Sequence, residues 1–275
     1  MSANESIAGR VRLHVEDSGG DGRPVVLIHG WPLSAQSWQA QTGPLRSAGY
    51  RVVAYDRRGF GRSDKPADGY DYDTLSADLA GLLEDLDLRE VTLVGFSMGG
   101  GEVARFVANH GEERLRSVVF AAAVPPCLMK SADNPDGPLT PEKAREKEEG
   151  LKDDREGYFD KFTTVFFSAN DVLKVSEAQR QEALAVCRQS DQRAALGCMK
   201  AFATTDFRDD LKKITVPVLV LHGDSDATVP FEGSGKRTHA AIAGSRLVLL
   251  RDAPHGCNLS HADEFNEALL DFLKD

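Results

Sequence analysis

The residues best equipped for chemistry lie in Gly95-Phe96-Ser97-Met98-Gly99. The stretch follows an apolar run at residues 91–94 and precedes a helical pattern carrying Val103, Phe106 and Val107, so the serine stands where a strand turns into a helix. So sharp a turn puts strained backbone angles on Ser97. It also brings the residues two before and two after it so close that side chains there would clash, hence glycine at 95 and 99. The helix amino terminus directs unsatisfied N–H groups and partial positive charge toward the serine oxygen, which favours negative charge developing there. A glycine-rich turn with an incidental serine is the competing reading, and the strand-turn-helix context weighs against it.

A serine hydroxyl is a poor nucleophile near neutral pH, so it needs a base within hydrogen-bonding reach, and the base needs a partner to fix its tautomer. Of the seven histidines, His255 in Ala253-Pro254-His255-Gly256 follows the apolar run at 247–250, which places it on a loop at the same carboxyl edge of a sheet as Ser97. His14, His29, His110, His222, His239 and His261 fit surface or hydrogen-bonded core imidazoles better. For the partner, two aspartates compete in His222-Gly223-Asp224-Ser225-Asp226, which follows the run at 218–221. Asp224, nearer the strand end, suits a turn, whereas Asp226 projects further and is the expected orienter. The D-x-D spacing hints at a metal, but the glycine and distal glutamate of a calcium loop are missing. No metal or other cofactor is expected.

An oxyanion needs two N–H donors. The amide of Met98, just after the nucleophile, is one; the amide of Trp31 in His29-Gly30-Trp31-Pro32, after the run at 25–28, is the other. Pro32 has no N–H and a fixed φ, which stiffens this loop. The acyl pocket is expected to be apolar and small to medium, lined by Trp31, Phe96, Met98, Val124, Phe162, Phe166, Val229 and Phe231.

These residues must be held by a framework that the sequence also outlines. Residues 11–16 alternate apolar and polar, as in an edge strand, while 25–28, 52–55, 91–94, 118–122, 218–221 and 247–250 are near-continuous apolar runs, as in strands covered on both faces. Leu75, Leu79, Leu82, Leu83 and Leu86 fall on one helical face between two of them. Alternation of this kind predicts an α/β chain with a largely parallel sheet. It breaks after Ala123 and resumes near residue 214. The expected division is a core of residues 1–123 and 212–275 interrupted by a helical cap, residues 124–211, placed over the carboxyl ends of the strands. Within the cap, residues 141–155 are so rich in mixed charge that they form a solvated helix face, and Tyr158, Phe159, Phe162, Phe166 and Phe167 supply apolar bulk directly after it.

Composition narrows the function classes. The 275 residues are 41% hydrophobic, which with glycine approaches the share typical of globular chains and excludes disordered and collagen-like structure. A net charge of −10, from 33 Lys and Arg against 43 Asp and Glu, repels phosphate backbones and anionic membranes, so neither nucleic acid nor membrane is an expected partner. The amino terminus lacks the pattern of a secretory signal, and no stretch reaches the ~20 apolar residues of a membrane span. Cys127, Cys187, Cys198 and Cys257 are scattered and unpaired in pattern, which suits reduced thiols and a cytoplasmic location.

Taken together, HGWPLS, YDRRGFGRSDKP, GFSMGGGE, HGDSDATVP and APHG, with Ser97, Asp226 and His255 in that chain order, resemble the α/β-hydrolase superfamily. More narrowly they resemble its cofactor-free bacterial haloperoxidase, perhydrolase and aryl-esterase group, over almost the whole chain. The resemblance implies a mostly parallel eight-stranded sheet with helices on both faces and an inserted helical cap. It further implies a serine hydrolase acting on small carboxylic esters through an acyl-Ser97 intermediate, with a perhydrolase activity in which hydrogen peroxide attacks that intermediate and releases a peracid. The implied partners are a small-molecule ester or acid, hydrogen peroxide and, since such relatives are often oligomeric, further copies of the chain. Asp56 and Arg57 read as braces for neighbouring loops. Dehalogenases and epoxide hydrolases carry aspartate at the elbow, so Ser97 argues against both. An amidase, lactonase, lactamase or carbon–carbon hydrolase would use the same triad, and a non-catalytic ligand-binding protein on this scaffold is the alternative from another class.

Overall fold

Buried Val, Leu and Ile runs form the middle of one sheet in the computed structural model, which describes residues 11–274. In chain order, β1 (His14–Asp17), β2 (Pro24–Ile28), α1 (Gln39–Ser47), β3 (Arg51–Asp56), α2 (Tyr72–Asp85), β4 (Val91–Phe96), α3 (Met98–His110) and β5 (Leu115–Ala121) come first. Then follow α4 (Pro141–Asp153), α5 (Arg155–Phe166), the two-stranded hairpin of β6 (Ser168–Ala169) and β7 (Val172–Leu173), α6 (Glu177–Arg188) and α7 (Gln192–Thr204). The chain closes with α8 (Arg208–Leu211), β8 (Val218–Gly223), α9 (Gly235–Ala241), β9 (Arg246–Leu250), α10 (Cys257–Ser260) and α11 (Ala262–Leu273).

The main sheet has the order β1-β3-β2-β4-β5-β8-β9, with β1 antiparallel to β3 and every other pair parallel. Among the described residues it has seven strands, not eight. The seven runs in the sequence account for all seven; the eighth rested on the resemblance alone. Part of the amino-terminal segment read as lacking a signal falls on residues 1–10, outside the described residues. Two strand readings need correction. The alternating run begins at residue 11, but β1 starts at His14, because the Arg12 amide donates to the Asp64 carboxylate (2.9 Å) and the His14 amide to Ser63 Oγ (2.8 Å). The run at 247–250 is an edge strand rather than an inner one: among the described residues β9 pairs only with β8, and Leu249 is 44% exposed.

The helices follow from their local chemistry. Asp71 caps α2 by accepting from the Thr74 amide (2.9 Å), and Leu75, Leu79, Leu82 and Leu83 are buried where α2 packs on α3. The charged helix α4 starts at Pro141 under a Thr140 cap and buries only Leu151, as its composition requires. Ser176 and Gln179 close α6 with a capping box, and Asp191 caps α7.

One polar cluster lies inside this core. Arg57, just past β3, pairs with Glu102 on α3, both fully buried, and Tyr55 donates to Glu102 Oε2 at 2.8 Å. Burial pushes the Glu102 carboxyl up, against the pull of Arg57. Removing one member of such a pair strands the other charge without water. Glu102→Gln should therefore cost about 3–5 kcal/mol in denaturant unfolding; a loss below about 1 kcal/mol would show that Arg57 does not depend on its partner.

Candidate active site

The turn between β4 and α3 holds Ser97 at φ 54° and ψ −118°, a conformation that costs about 1–3 kcal/mol for a residue with a side chain. The surrounding backbone over-determines it. The Ser97 amide donates to Ala121 O (2.8 Å), and Ser97 O accepts from the amides of Gly100 (3.1 Å) and Val124 (3.2 Å). A Cβ at residue 95 would lie 2.5 Å from Gly99 O, and one at residue 99 would lie 2.5 Å from Ile28 O, so only glycine lets helix and sheet approach this closely.

His255 and Asp226 reach the serine from the loops after β9 and β8. His255 Nε2 lies 2.9 Å from Ser97 Oγ, and its Nδ1 lies 2.6 Å from Asp226 Oδ2. A carboxylate only accepts, so Nδ1 carries the proton and Nε2 offers its lone pair to the serine hydroxyl. The other carboxylate oxygen, Asp226 Oδ1, accepts from the amides of Thr228 (2.9 Å) and Val229 (2.8 Å). Burial pushes the Asp226 carboxyl up, but the two imidazoles beside it, His255 and His222, outweigh this and hold it well below the carboxylate range. Of the two competing aspartates, Asp226 is the one that reaches His255. Asp224 is exposed and accepts from the Asp252 amide (2.7 Å), bracing the loop that carries His255.

The two amides considered as oxyanion donors flank the serine. Gly30 lies so close that a Cβ there would meet Ser97 Cβ at 3.0 Å, and Trp31 follows it. Among the described residues neither the Trp31 nor the Met98 amide donates a backbone hydrogen bond. Trp31 is joined to Pro32 by a cis peptide. Its ring packs against Phe162 (5.2 Å), Phe202 (5.9 Å) and Phe159 (6.0 Å), and its Nε1 donates to Ala195 O at 2.9 Å.

The other lining candidates divide into two groups. Phe96 and Phe166 touch the His255 ring at 5.3 Å and 5.0 Å, Phe162 packs on Phe166 at 5.3 Å, and Val124 sits on Ser97 O. Val229 and Phe231 lie on the aspartate side, where Phe231 packs its ring on His222 at 5.6 Å. Phe166 also lines a cleft of about 560 Å³ shared with Leu33, Phe167, Val186 and Leu259.

Two contributors were not expected from sequence. His222, read as a core imidazole, is buried with Nε2 2.9 Å from Val229 O and 3.3 Å from Asp226 Oδ2. Tyr72 donates to Met98 O at 3.0 Å and so steadies the first turn of α3. Neither has a spacing signal, because both approach only through the packing of separate elements.

A family model described as the alpha/beta hydrolase family matches residues 25–268. The chain belongs to the alpha/beta hydrolase family. It resembles the crystal structure of a bromoperoxidase from Bacillus anthracis at 53% identity with a TM-score of 0.95, over 96% of both chains. It is 43% identical to the non-heme chloroperoxidase CPO-A1 of Kitasatospora aureofaciens, over 92% of this chain and 93% of that one. It is also 38% identical to the bifunctional esterase/perhydrolase DCH of Acinetobacter calcoaceticus, over 96% of each. The resemblance read from the motifs is thereby established for the family, and the chain is an enzyme of the α/β-hydrolase type. Among the described residues no helix is long and apolar enough to cross a membrane.

The ionised state of Asp226 ties the site to stability. Its carboxyl is lowered from 3.8 in the fold, so the carboxylate stabilises the protein above that pH, and the contribution drains away as pH falls toward the folded value. The melting temperature of the wild type should therefore fall more steeply below about pH 5 than that of Asp226→Asn. Parallel pH profiles for the two proteins would contradict this.

Proposed function

We propose that this chain is a serine esterase for small carboxylic esters with perhydrolase activity toward hydrogen peroxide. The observation that carries the reading is the continuous chain Ser97 Oγ, His255 Nε2, His255 Nδ1, Asp226 Oδ2, with links of 2.9 Å and 2.6 Å, at the carboxyl edge of the sheet. His255 takes the hydroxyl proton as Ser97 Oγ attacks the ester carbonyl carbon. The Trp31 and Met98 amides hold the oxyanion, and Asp226 stabilises the imidazolium. Collapse of the tetrahedral intermediate expels the alcohol, which takes the proton from His255 and leaves an acyl-Ser97. Water then attacks to release the acid, or hydrogen peroxide attacks to release the peracid; in either case His255 takes the incoming proton and Ser97 leaves protonated.

The aromatic walls of Trp31, Phe96, Phe162 and Phe166, with Met98, Val124, Val229 and Phe231, favour a short or aryl acyl group. Phe166 touches His255 and borders the cleft of about 560 Å³, whose lining includes neither the triad nor the other proposed pocket residues. In this reading residues 124–211 are the cap and residues 1–123 and 212–275 the core. Self-association and a cytoplasmic location belong to the same reading, the latter supported by four free, buried cysteines, which suit a reducing compartment.

Ser97→Ala should fold normally and lose at least about 10⁴-fold in kcat for p-nitrophenyl acetate; retained turnover would remove the serine mechanism. A panel of short-chain and aryl esters assayed with and without hydrogen peroxide should yield peracid from at least one ester. Hydrolysis without peracid from any of them would leave an esterase and remove the perhydrolase.

A further inference from the structure

His29 is fully buried at the end of β2, directly before the Gly30-Trp31 peptide, and its ring meets groups that each have only one hydrogen-bonding role. Its Nδ1 lies 2.8 Å from Gly30 O, which can only accept. Its Nε2 lies 2.9 Å from the Arg57 backbone amide, which can only donate. The ring is therefore neutral, with its proton on Nδ1. Arg57 Nη1, 3.3 Å from Nδ1, makes no bond to it in this tautomer; the guanidinium instead donates from Nη2 to His29 O at 2.7 Å and pairs with Glu102. Burial, and then the Arg57 charge, press the imidazole well below its ordinary value, which keeps it neutral.

The Gly30 carbonyl thus receives two donors, His29 Nδ1–H and the Leu33 amide at 3.0 Å. A trans peptide is planar, with its C=O and N–H pointing in opposite directions, so fixing the Gly30 oxygen also fixes the Trp31 N–H. We infer that His29 is a positioning residue for the oxyanion hole: through the Gly30 carbonyl it sets the direction of the Trp31 N–H, and the Arg57–Glu102 pair holds His29 in place. A peptide turned the other way would present an oxygen, rather than a donor, to the developing negative charge. The inference rests on the proposed role of the Trp31 amide.

The test uses two variants and one measurement on the wild type. In His29→Gln the longer side chain offers its amide near the Nε2 position and leaves Gly30 O without its Nδ1 donor. In His29→Asn the shorter amide stands near Nδ1 and restores that donor. His29→Gln should lose about tenfold to a hundredfold in kcat for p-nitrophenyl acetate with little change in KM. Its affinity for an aryl trifluoromethyl ketone, which forms a tetrahedral adduct on serine, should weaken by the same factor. His29→Asn should recover most of both losses. Equal activity of His29→Gln and wild type, or equal losses in the two variants, would overturn the inference. Should His29→Gln fail to fold, nitrogen-15 NMR of the wild-type imidazole decides: the neutral Nδ1–H form supports the inference, and an Nε2–H form or an imidazolium overturns it. A wild type that forms no ketone adduct, or a Ser97→Ala variant that still turns over, would instead bring down the serine mechanism itself, so the two failures are distinguishable.

Discussion

Everything at this site depends on the turn that holds Ser97 at positive φ between β4 and α3. The conformation is unfavourable by itself, and it persists because helix and sheet press together on either side of it. Val103, Phe106 and Val107 bury one face of α3, and the missing side chains at 95 and 99 allow the helix start to touch the backbone of β2 and its own strand. The hydrogen bond from the Val124 amide to Ser97 O ties the chain leaving β5 to the same point. The serine is thereby positioned by the packed strand and helix on either side of the turn.

Two buried charge systems stand on either side of this turn, and each uses an imidazole whose tautomer is dictated by its neighbours. On one side Asp226, held by two amides and flanked by two imidazoles, accepts from His255 Nδ1–H and so fixes the tautomer of that ring. On the other, the Arg57–Glu102 pair and the Arg57 amide leave His29 with its proton on Nδ1. A buried ion is costly unless its hydrogen bonds are complete, so both carboxylates sit where several donors converge. The common result is direction: one imidazole presents a lone pair to the serine, and the other presents a donor to a carbonyl beside it.

Much of this was legible in the sequence because the constraints behind it are steric and local. The glycines at 95 and 99 record a clash, and the apolar runs record strands buried on both faces, so Ser97 and the inner sheet could be located without coordinates. His255 and Asp226 could be named because each follows such a run. Reach along the loop favours Asp226 over Asp224, and in the structure Asp226 Oδ2 lies 2.6 Å from His255 Nδ1 while Asp224 accepts from the Asp252 amide. Other features were not legible. The apolar run at 247–250 does not reveal that, among the described residues, no strand pairs beyond β9. The hairpin of β6 and β7, two residues per strand, is too short for any periodicity. His222, Tyr72 and the Gly30 contact of His29 depend on which elements meet in space, and no spacing along the chain encodes that.

The helix α5 connects the two sides of the site. Phe162 packs on Trp31 and on Phe166, and Phe166 in turn packs on Phe96 and His255. The backbone joins in, since the Gly256 amide, one residue past His255, donates to Phe166 O at 2.8 Å, and residue 256 has no room for a Cβ against Phe166 and Phe167. The loop carrying the proposed base and the loop carrying the proposed oxyanion donor are therefore braced by one aromatic face. Widening the site at Phe166 would remove a wall of the proposed acyl pocket and also a support of the His255 ring. In the proposed function, substrate size and the alignment of the base are thus coupled at Phe166, and enlarging the pocket there without loss of rate requires that the lost contact on His255 be replaced from another position.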